Sequence, residues 1–260
     1  MWTIETVMEG GALQPTVTLA RCGRETILVD TGYQRQETQL LQELDRRGLT
    51  AESISCVVNT HLHFDHSHNN SLFQKARILC SEREYEWVTG LCDQMLPDTV
   101  SLEDIYLYYP ELRSLANDPR PIWTMVKVVR RFWRTERIGR KDQIHWLEVS
   151  SLPDGVRAVP TPGHVPHHYS FIFDTLEGEV LVAGDAVITQ GDEDEDVMTF
   201  PPTCRSQYAE MKKTLGRFAG TIIPGHDAPF VGNPQRQPGW PVADFRRRRS
   251  AGHQNPRPSR

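Results

Sequence analysis

The feature that most constrains this chain is a run of four potential metal ligands within six residues, His61-Leu62-His63-Phe64-Asp65-His66. It follows an apolar run, Ile54-Ser55-Cys56-Val57-Val58-Asn59-Thr60, that predicts a buried strand. If the backbone stays extended beyond that strand, the first, third and fifth residues of the ligand run lie on one side. The last residue then turns inward at the start of a helix predicted over Ser67–Lys75. Imidazoles and a carboxylate suit zinc, whereas calcium and magnesium prefer oxygen ligands.

Three further potential ligands lie much later in the sequence, and each follows or ends an apolar run. They are His164 in Thr161-Pro162-Gly163-His164, Asp185 in Ala183-Gly184-Asp185 and His226 in Pro224-Gly225-His226-Asp227. A polar loop that happens to be rich in histidine would explain the first run alone, but not three ordered partners. The sequence therefore predicts a metal centre assembled from four separated segments.

Length and composition fit a single globular enzyme-sized domain. The chain has 260 residues, of which 38% are hydrophobic, and this is enough for one sizeable core. No run reaches the roughly 18 apolar residues of a membrane span, so we predict none. The first residues lack the basic start and apolar run of a secretory signal, which predicts a cytoplasmic protein. The five cysteines are scattered without a close pair, and we predict that they are reduced.

Strand-like and helix-like segments alternate along the chain, which predicts an α/β fold with helices covering the sheet. Thr16–Ala20 and Glu25–Asp30 predict an edge hairpin, and Thr38–Arg47 carries leucines at helical spacing before Gly48. Each of the three later ligands also follows a predicted strand: Val156–Pro160 before His164, Glu179–Ala183 before Asp185 and Thr221–Ile223 before His226.

The segment from about residue 90 to residue 141 is predicted to be a helical insertion. Its first helix, Ser101–Asn117, is interrupted at Pro110, and its second begins at Pro121 and ends near Arg137. The second helix has an apolar stripe that packs on the domain, forms a dimer contact or serves as a lid. As a lid, it would wall an apolar pocket over the metals with Trp123, Met125 and Phe132.

The net charge of −5 is unevenly distributed. Between Arg120 and Lys141 there are eight basic residues and one acid, whereas Asp192–Asp196 consists of five acids. Such runs are typical of solvated surfaces, but the basic run also predicts a face that could hold RNA phosphates. We predict one domain over residues 1–243 and a basic, disordered tail over residues 244–260.

The motifs, in this order, resemble those of metallo-β-lactamase-fold hydrolases, and Asp30-Thr31-Gly32 resembles the upstream turn of that family. The resemblance implies an αββα sandwich and two metal ions, zinc in the first place and iron or manganese as alternatives. It assigns one metal to His61, His63 and His164, the second to Asp65, His66 and His226, and a bridging position to Asp185. It also implies that Asp30 supports the ligands from outside, and Asp227 is a weaker candidate for that role.

The chemistry implied by this resemblance is hydrolysis by a hydroxide shared between two metals. Asp65 and Asp185 are the predicted catalytic carboxylates, with Asp65 passing a proton to the leaving group. The bridging Asp185 disfavours antibiotic hydrolysis, because true β-lactamases of this fold lack it. His61 stands where di-iron flavoprotein relatives have glutamate, which disfavours redox work.

Two subfamilies share further features with the chain. The ligand run and the Pro-Gly-His-Asp turn are similar to those of N-acyl homoserine lactone lactonases. Those enzymes often have a tyrosine at the position of Ile188, so Tyr169 is our candidate to replace it. Ser67-His68-Asn69-Asn70 departs from the glycine pair of glyoxalase II, which weakens the case for a thioester as the substrate without excluding it. Val182-Ala183-Gly184-Asp185 resembles the metallo-β-lactamase-domain-containing proteins of animals, a group that includes an endoribonuclease.

Three hypotheses follow. The first is a zinc-dependent hydrolase of a small carboxylic ester, lactone or thioester. The second is an RNA phosphodiesterase that uses the basic segment Arg120–Lys141. The third is a metal-stabilised scaffold that binds a protein partner through Trp133 and its neighbours.

Overall fold

The computed structural model describes residues 1–11, 14–191 and 201–232. These residues form two mixed β-sheets and six α-helices, with short 3-10 turns between them. The acidic run Asp192–Asp196, the end of the predicted domain and the predicted tail over residues 244–260 lie outside the described residues. The α/β class predicted from the alternation of segments is confirmed.

The first sheet has six strands in sequence order. They are β1 (Thr3–Met8), β2 (Val17–Cys22), β3 (Glu25–Val29), β4 (Cys56–Val58), β5 (Arg77–Cys80) and β6 (Ile144–Trp146). The first three pair antiparallel, and β3 to β6 pair parallel. Sequence reasoning found the β2–β3 hairpin but missed β1, which forms the outer edge of this sheet.

The second sheet has five strands, in the order β11-β10-β9-β8-β7. Their bounds are β7 (Val156–Pro160), β8 (Tyr169–Thr175), β9 (Gly178–Gly184), β10 (Thr221–Pro224) and β11 (Phe230–Val231). Because β7 and β9 both pair antiparallel with β8, and β10 pairs parallel with β9, strands β7, β9 and β10 run in the same direction. Their carboxyl ends therefore meet at one edge.

Alternating side chains of the strands build the layers. In β3, Ile27 and Val29 join the core between the two sheets, where Phe171 and Phe173 of β8 meet them. Leu28 points to the opposite face and packs with the first helix. This period of two shows that each sheet buries both faces, one against the other sheet and one against helices.

Some of the helices cover the outer faces of the two sheets, and the others pack together in a separate cluster. They are α1 (Glu37–Asp45), α2 (Phe64–Ser67), α3 (Glu82–Met95), α4 (Leu102–Tyr108), α5 (Arg120–Phe132) and α6 (Arg205–Leu215). Helix α1 packs on the first sheet, whereas the end of α6 packs on the second. The helix predicted over Ser67–Lys75 is instead the short α2, followed by a 3-10 turn over His68–Leu72.

Helices α3, α4 and α5 pack together in their own apolar cluster, and we call residues 82–138 the helical segment. Ser81 caps α3 by accepting a hydrogen bond from the Glu84 amide. The predicted start of the insertion near residue 90 falls inside α3, because that helix belongs to the same cluster. None of the described helices is long and apolar enough to cross a membrane.

Candidate metal centre

Four side chains from three different loops form a first group of potential ligands. His61 and His63 follow β4, His164 follows β7 and Asp185 follows β9, and their ligand atoms all lie within 4.8 Å of one another. The His164 Nε2 atom lies 3.1 Å from His63 Nδ1 and 3.3 Å from Asp185 Oδ2. All four side chains are buried, so this first group is shielded from bulk solvent.

A second group lies beside the first and consists of Asp65, His66 and His226. The Nε2 atoms of His66 and His226 are 3.4 Å apart, and His226 Nε2 lies 3.6 Å from Asp65 Oδ2. Asp65 and His226 are only partly buried, so this group faces solvent more than the first.

Asp185 faces both groups with different oxygen atoms. Its Oδ2 atom lies near His164 and His61 of the first group. Its Oδ1 atom lies 3.2 Å from His66 Nε2 and 3.5 Å from His226 Nε2 of the second group. A carboxylate placed in this way can bridge two cations, which is the role that the sequence resemblance assigned to it.

The atoms that face each other fit metal ions. His61 Nε2 and Asp185 Oδ1 are buried without a hydrogen-bond partner among the described residues, which is costly unless something else binds them. Burial lowers the pKa of His61, His63 and His164 below the usual value, with the neighbouring imidazoles adding to the effect for His61 and His63. Neutral imidazoles at this spacing, with a carboxylate between them, are the ligands that zinc prefers.

The second group is more strongly coupled to carboxylates. Burial by itself would raise the pKa of Asp185, but His66, His226 and His164 hold it well below its usual range. Burial opposes protonation of His66, yet Asp185 and Asp30 raise its pKa well above the usual value in the metal-free protein. Cations therefore have an ionised Asp185 available at neutral pH.

Asp30 supports ligands on both sides of the centre. It adopts a left-handed backbone conformation with φ of 58°, which is unusual for a residue other than glycine. Its Oδ2 atom accepts hydrogen bonds from His66 Nδ1 at 2.8 Å and from Thr60 Oγ1 at 2.7 Å. Because Thr60 Oγ1 donates to Asp30, it can only accept from His61 Nδ1, which lies 3.1 Å away. Both histidines then present Nε2 to the metal site.

His226 is held by the backbone rather than by an acidic side chain. Its Nδ1 atom donates to the carbonyl oxygen of Gly11 at 3.0 Å. Asp227 was predicted to support a metal ligand, but the structure shows its carboxylate in a different role. Its carboxylate accepts hydrogen bonds from the amides of Gln190 and Ala228, so it stabilises the turn next to the ligand.

Close backbone approach requires glycine at one position of the centre. A Cβ atom on Gly225 would lie 1.9 Å from Asp185 Oδ1, far inside van der Waals contact. The glycine of the Pro-Gly-His-Asp turn is therefore needed for space, because any side chain would displace the bridging carboxylate.

The helical segment contributes an aromatic wall beside the ligands. Phe64 of the ligand run stacks on Phe132, with ring centroids 5.6 Å apart, and Trp133 meets His63 edge to face at 5.2 Å. Trp123 is nine residues before Phe132, or two and a half helical turns, so it lies on the opposite, exposed face of α5. The predicted pocket wall is therefore wrong for Trp123.

Two other residues of the predicted pocket are used elsewhere. Met125 is buried in the apolar cluster of the helical segment. Tyr169 packs at the margin of the core between the sheets, and its amide donates to the Thr60 carbonyl. Of the four pocket residues predicted from sequence, Phe132 is the one that the structure brings against the ligand run.

The turn after α5 is fixed to the turn that follows the ligand run. Asn70 donates to the Ile138 carbonyl at 3.0 Å. Arg137 donates to Ser71 at 3.2 Å. These links argue that the helical segment is a built-in wall of the centre and not a lid that opens over it.

Sequence reasoning missed several residues that touch the ligands. No sequence motif marks Gly11 or Tyr109 as a partner of a ligand. Gly11 acts through its backbone carbonyl, and Tyr109 lies at the junction of two inserted helices. His168 had a signal, since it comes four residues after His164. Its ring lies 5.0 Å from the His61 ring and bonds to Thr161, the residue that begins the His164 loop.

Comparison with known proteins supports the reading of these loops. Residues 10–226 match the family described as the Metallo-beta-lactamase superfamily. Metallo-beta-lactamase domain-containing protein 1 of Xenopus laevis is 29% identical over 221 residues, which are 83% of this chain and 71% of that protein. The N-acyl homoserine lactonase of Bacillus thuringiensis is 23% identical over 197 residues, which are 74% of this chain and 63% of that protein.

Among solved structures, AidC, a dizinc quorum-quenching lactonase in complex with a product, has a similar fold. The TM-score is 0.58 at 16% identity, and the match covers 82% of this chain and 72% of that one. At this low identity the similarity concerns the fold, which is a helix-covered pair of sheets with the metal loops at one edge.

Proposed function

The chain belongs to the metallo-β-lactamase superfamily, and we propose that it is a metal-dependent hydrolase whose centre takes two zinc ions. Iron and manganese are the alternatives that the same ligands allow. One observation carries the proposal: seven imidazole and carboxylate side chains from four loops converge in two groups that share Asp185.

The ligands divide between two cations as the geometry of the two groups suggests. His61, His63 and His164 would hold one ion, whereas Asp65, His66 and His226 would hold the other, with Asp185 between them. A metal pair bound there supplies a bound water of lowered pKa and polarises the oxygen of the attacked group.

Asp65 is the proposed proton carrier. Its side chain is 21% exposed, compared with 6% for Asp185, so it is the carboxylate that substrate can reach. At the solvent-facing side of the centre it can take the proton of the attacking water and give it to the leaving group. Asp185 is too enclosed by histidines for this task and acts by holding the two halves together.

The proposed substrate is a carboxylic ester, a lactone or a thioester with an apolar part. The similar lactonases act on carbonyl compounds, as their names state. The stacked pair of Phe64 and Phe132 is half-buried and offers an apolar surface next to Asp65. This arrangement suits an acyl chain better than a chain of phosphates.

A nucleic-acid substrate is the weaker alternative, because much of the basic segment is engaged within the fold. Arg130 bonds to the carbonyls of Met95 and Pro97, Arg134 bonds to backbone carbonyls, and Arg137 bonds to Ser71. Arg120 and Arg140 pair with neighbouring aspartates. Five of the eight basic side chains thus use donors within the fold, which leaves fewer of them to hold the phosphates that an RNA phosphodiesterase binds.

The test is a substrate panel with the zinc-loaded protein. It contains an N-acyl homoserine lactone, an acyl-glutathione, an aryl ester, bis-nitrophenyl phosphate and single-stranded RNA. We expect turnover of at least one carbonyl substrate, lost on chelation and restored by zinc. Turnover of the phosphodiester or RNA alone would replace the carbonyl assignment, and a zinc-loaded protein inert on the whole panel would contradict the proposed function.

A further inference from the structure

His63 differs from the other histidines of the centre in the atom that it offers. Its Nδ1 atom lies 3.1 Å from His164 Nε2 and so points into the first group. Its Nε2 atom points away and lies 3.3 Å from the phenol oxygen of Tyr109. A neutral imidazole carries one proton, and that proton must be on Nε2 if Nδ1 is to bind a metal.

Tyr109 is held so firmly that its hydroxyl has a defined position. It lies where α4 ends, directly before Pro110, and it is completely buried in the cluster of the helical segment. The Trp87 ring packs against it edge to face at 5.6 Å. A buried aromatic ring packed in this way has little freedom, so its oxygen offers a fixed acceptor to the imidazole.

We propose that Tyr109 is a positioning residue for the first metal group, because its phenol oxygen accepts the Nε2 proton of His63 and thereby leaves Nδ1 free for the metal. Loss of this hydroxyl would allow the other tautomer and rotation of the ring. Outer partners of metal-binding histidines typically contribute 10- to 100-fold in metal affinity.

A second side chain of the helical segment supports the same pair of loops. Glu84 of α3 is fully buried, and its carboxyl group faces the backbone amides of Leu62 and His167. Leu62 separates His61 from His63, and His167 belongs to the loop of His164. The helical segment therefore meets the first group at the His63 ring and at the backbone of two of the three loops that form it.

The histidines of the second group have other partners. His66 is held by Asp30 and His226 by the Gly11 carbonyl, and both partners belong to the sheet side of the domain. The inference rests on metal binding as part of the proposed function, and it adds that the helical segment supports the first metal position through Tyr109, whereas Asp30 supports a ligand of each position.

The experiment compares Tyr109→Phe with a matched control, Tyr106→Phe. Tyr106 is also buried in this cluster, but its hydroxyl has no hydrogen-bond partner among the described residues. Each change is made in a His226→Ala background, which keeps the first group, and in a His164→Ala background, which keeps the second. Zinc affinity is measured by competition with a chromophoric chelator, and circular dichroism monitors folding.

We expect Tyr109→Phe to weaken zinc binding by about 10- to 100-fold in the His226→Ala background. In the His164→Ala background, Tyr109→Phe should change zinc affinity by less than about twofold, because only the partner of His63 is lost. Tyr106→Phe should leave zinc affinity unchanged in both backgrounds. Equal effects of the two phenylalanine variants, equal losses in the two backgrounds or no loss at all would overturn the inference. A wild-type protein that binds no zinc would overturn the proposed function as well, whereas normal zinc binding without any turnover would overturn only the function.

Discussion

The two halves of the metal centre differ in exposure and in what holds them. In the first group, the His61 and His164 side chains are 0% and 3% exposed, and the aromatic helical segment packs behind His63. In the second group, Asp65 and His226 are 21% and 10% exposed, and the supports are a backbone carbonyl and Asp30, which also reaches His61 of the first group through Thr60. Under the proposed function, we expect the closed half to retain its metal and the open half to handle substrate and protons.

This contrast gives the helical segment a different meaning from a lid. The turn after α5 is bonded to the turn after the ligand run, and Tyr109 reaches a ligand from behind. The segment therefore shapes and stiffens one half of the centre, and the other half remains open along the side of Asp65.

Removing the shared carboxylate should have the largest effect, because Asp185 belongs to both halves. We expect Asp185→Ala to reduce kcat/KM by about 10³-fold or more and to lower the zinc content below two ions per chain. Metal analysis by mass spectrometry and kinetics on the best panel substrate provide the measurement. A variant that retains both ions and a tenth of the activity would show that Asp185 does not bridge.

Asp65→Asn should separate proton transfer from metal retention in the open half. The amide cannot take a proton from water, so we expect kcat to fall by about 10²-fold or more. The fully buried first group should keep its zinc, which gives at least one ion per chain. An unchanged kcat would assign the proton transfer to another residue and would remove the functional contrast between the two halves.

Gly225→Ala should disturb both halves through sterics. The added Cβ would collide with Asp185 Oδ1, and overpacking of this kind costs about 1–3 kcal/mol of the free energy of unfolding. We expect about a 10-fold to 100-fold loss of kcat/KM, as a displaced carboxylate misplaces the reacting groups. Gly216→Ala at the end of α6 is the control, since its backbone is in the helical region and its Cβ would come no closer than 3.3 Å to another atom, and equal behaviour of the two variants would contradict the account.

Glu84→Gln tests the support behind the closed half through its pH dependence. Burial raises the pKa of Glu84 from 4.5 to about 8, so the folded state holds this proton more tightly than the unfolded state. Its contribution to stability is complete below about pH 4.5 and is lost as the pH rises through 8. The difference in unfolding free energy between wild type and variant should therefore change by about 1.4 kcal/mol per pH unit between pH 5 and 8.

The exposed Glu82→Gln in the same helix is the control for that measurement. Its unfolding free energy should remain parallel to that of the wild type across the range. Parallel curves for Glu84→Gln as well would show that this carboxyl group titrates normally and is less buried than described.

The sequence was sufficient for the parts of the molecule that depend on local pattern. The layers follow from the alternation of side chains between the two faces of strands such as β3. The ligands come directly after apolar runs, because the ends of the strands place these loops at one edge of the sheets. The cap of α3 is also local, because Ser81 bonds to the amide of Glu84 only three residues later.

The remaining features depend on contacts between distant segments, which a sequence pattern does not encode. The Gly11 carbonyl meets His226 over 215 positions of the chain, and Tyr109 reaches His63 over 46 positions. Trp123 was misassigned because the two aromatic residues were grouped by their helix alone. The helical periodicity of about 3.6 residues per turn places Trp123 and Phe132 on opposite faces.

The most direct test is anomalous diffraction at the zinc edge from crystals of the zinc-loaded protein. The account predicts two peaks, one bound by His61, His63 and His164 and the other by Asp65, His66 and His226, with Asp185 touching both. A single peak bound by residues of both groups, or no peak within reach of these side chains, would contradict it.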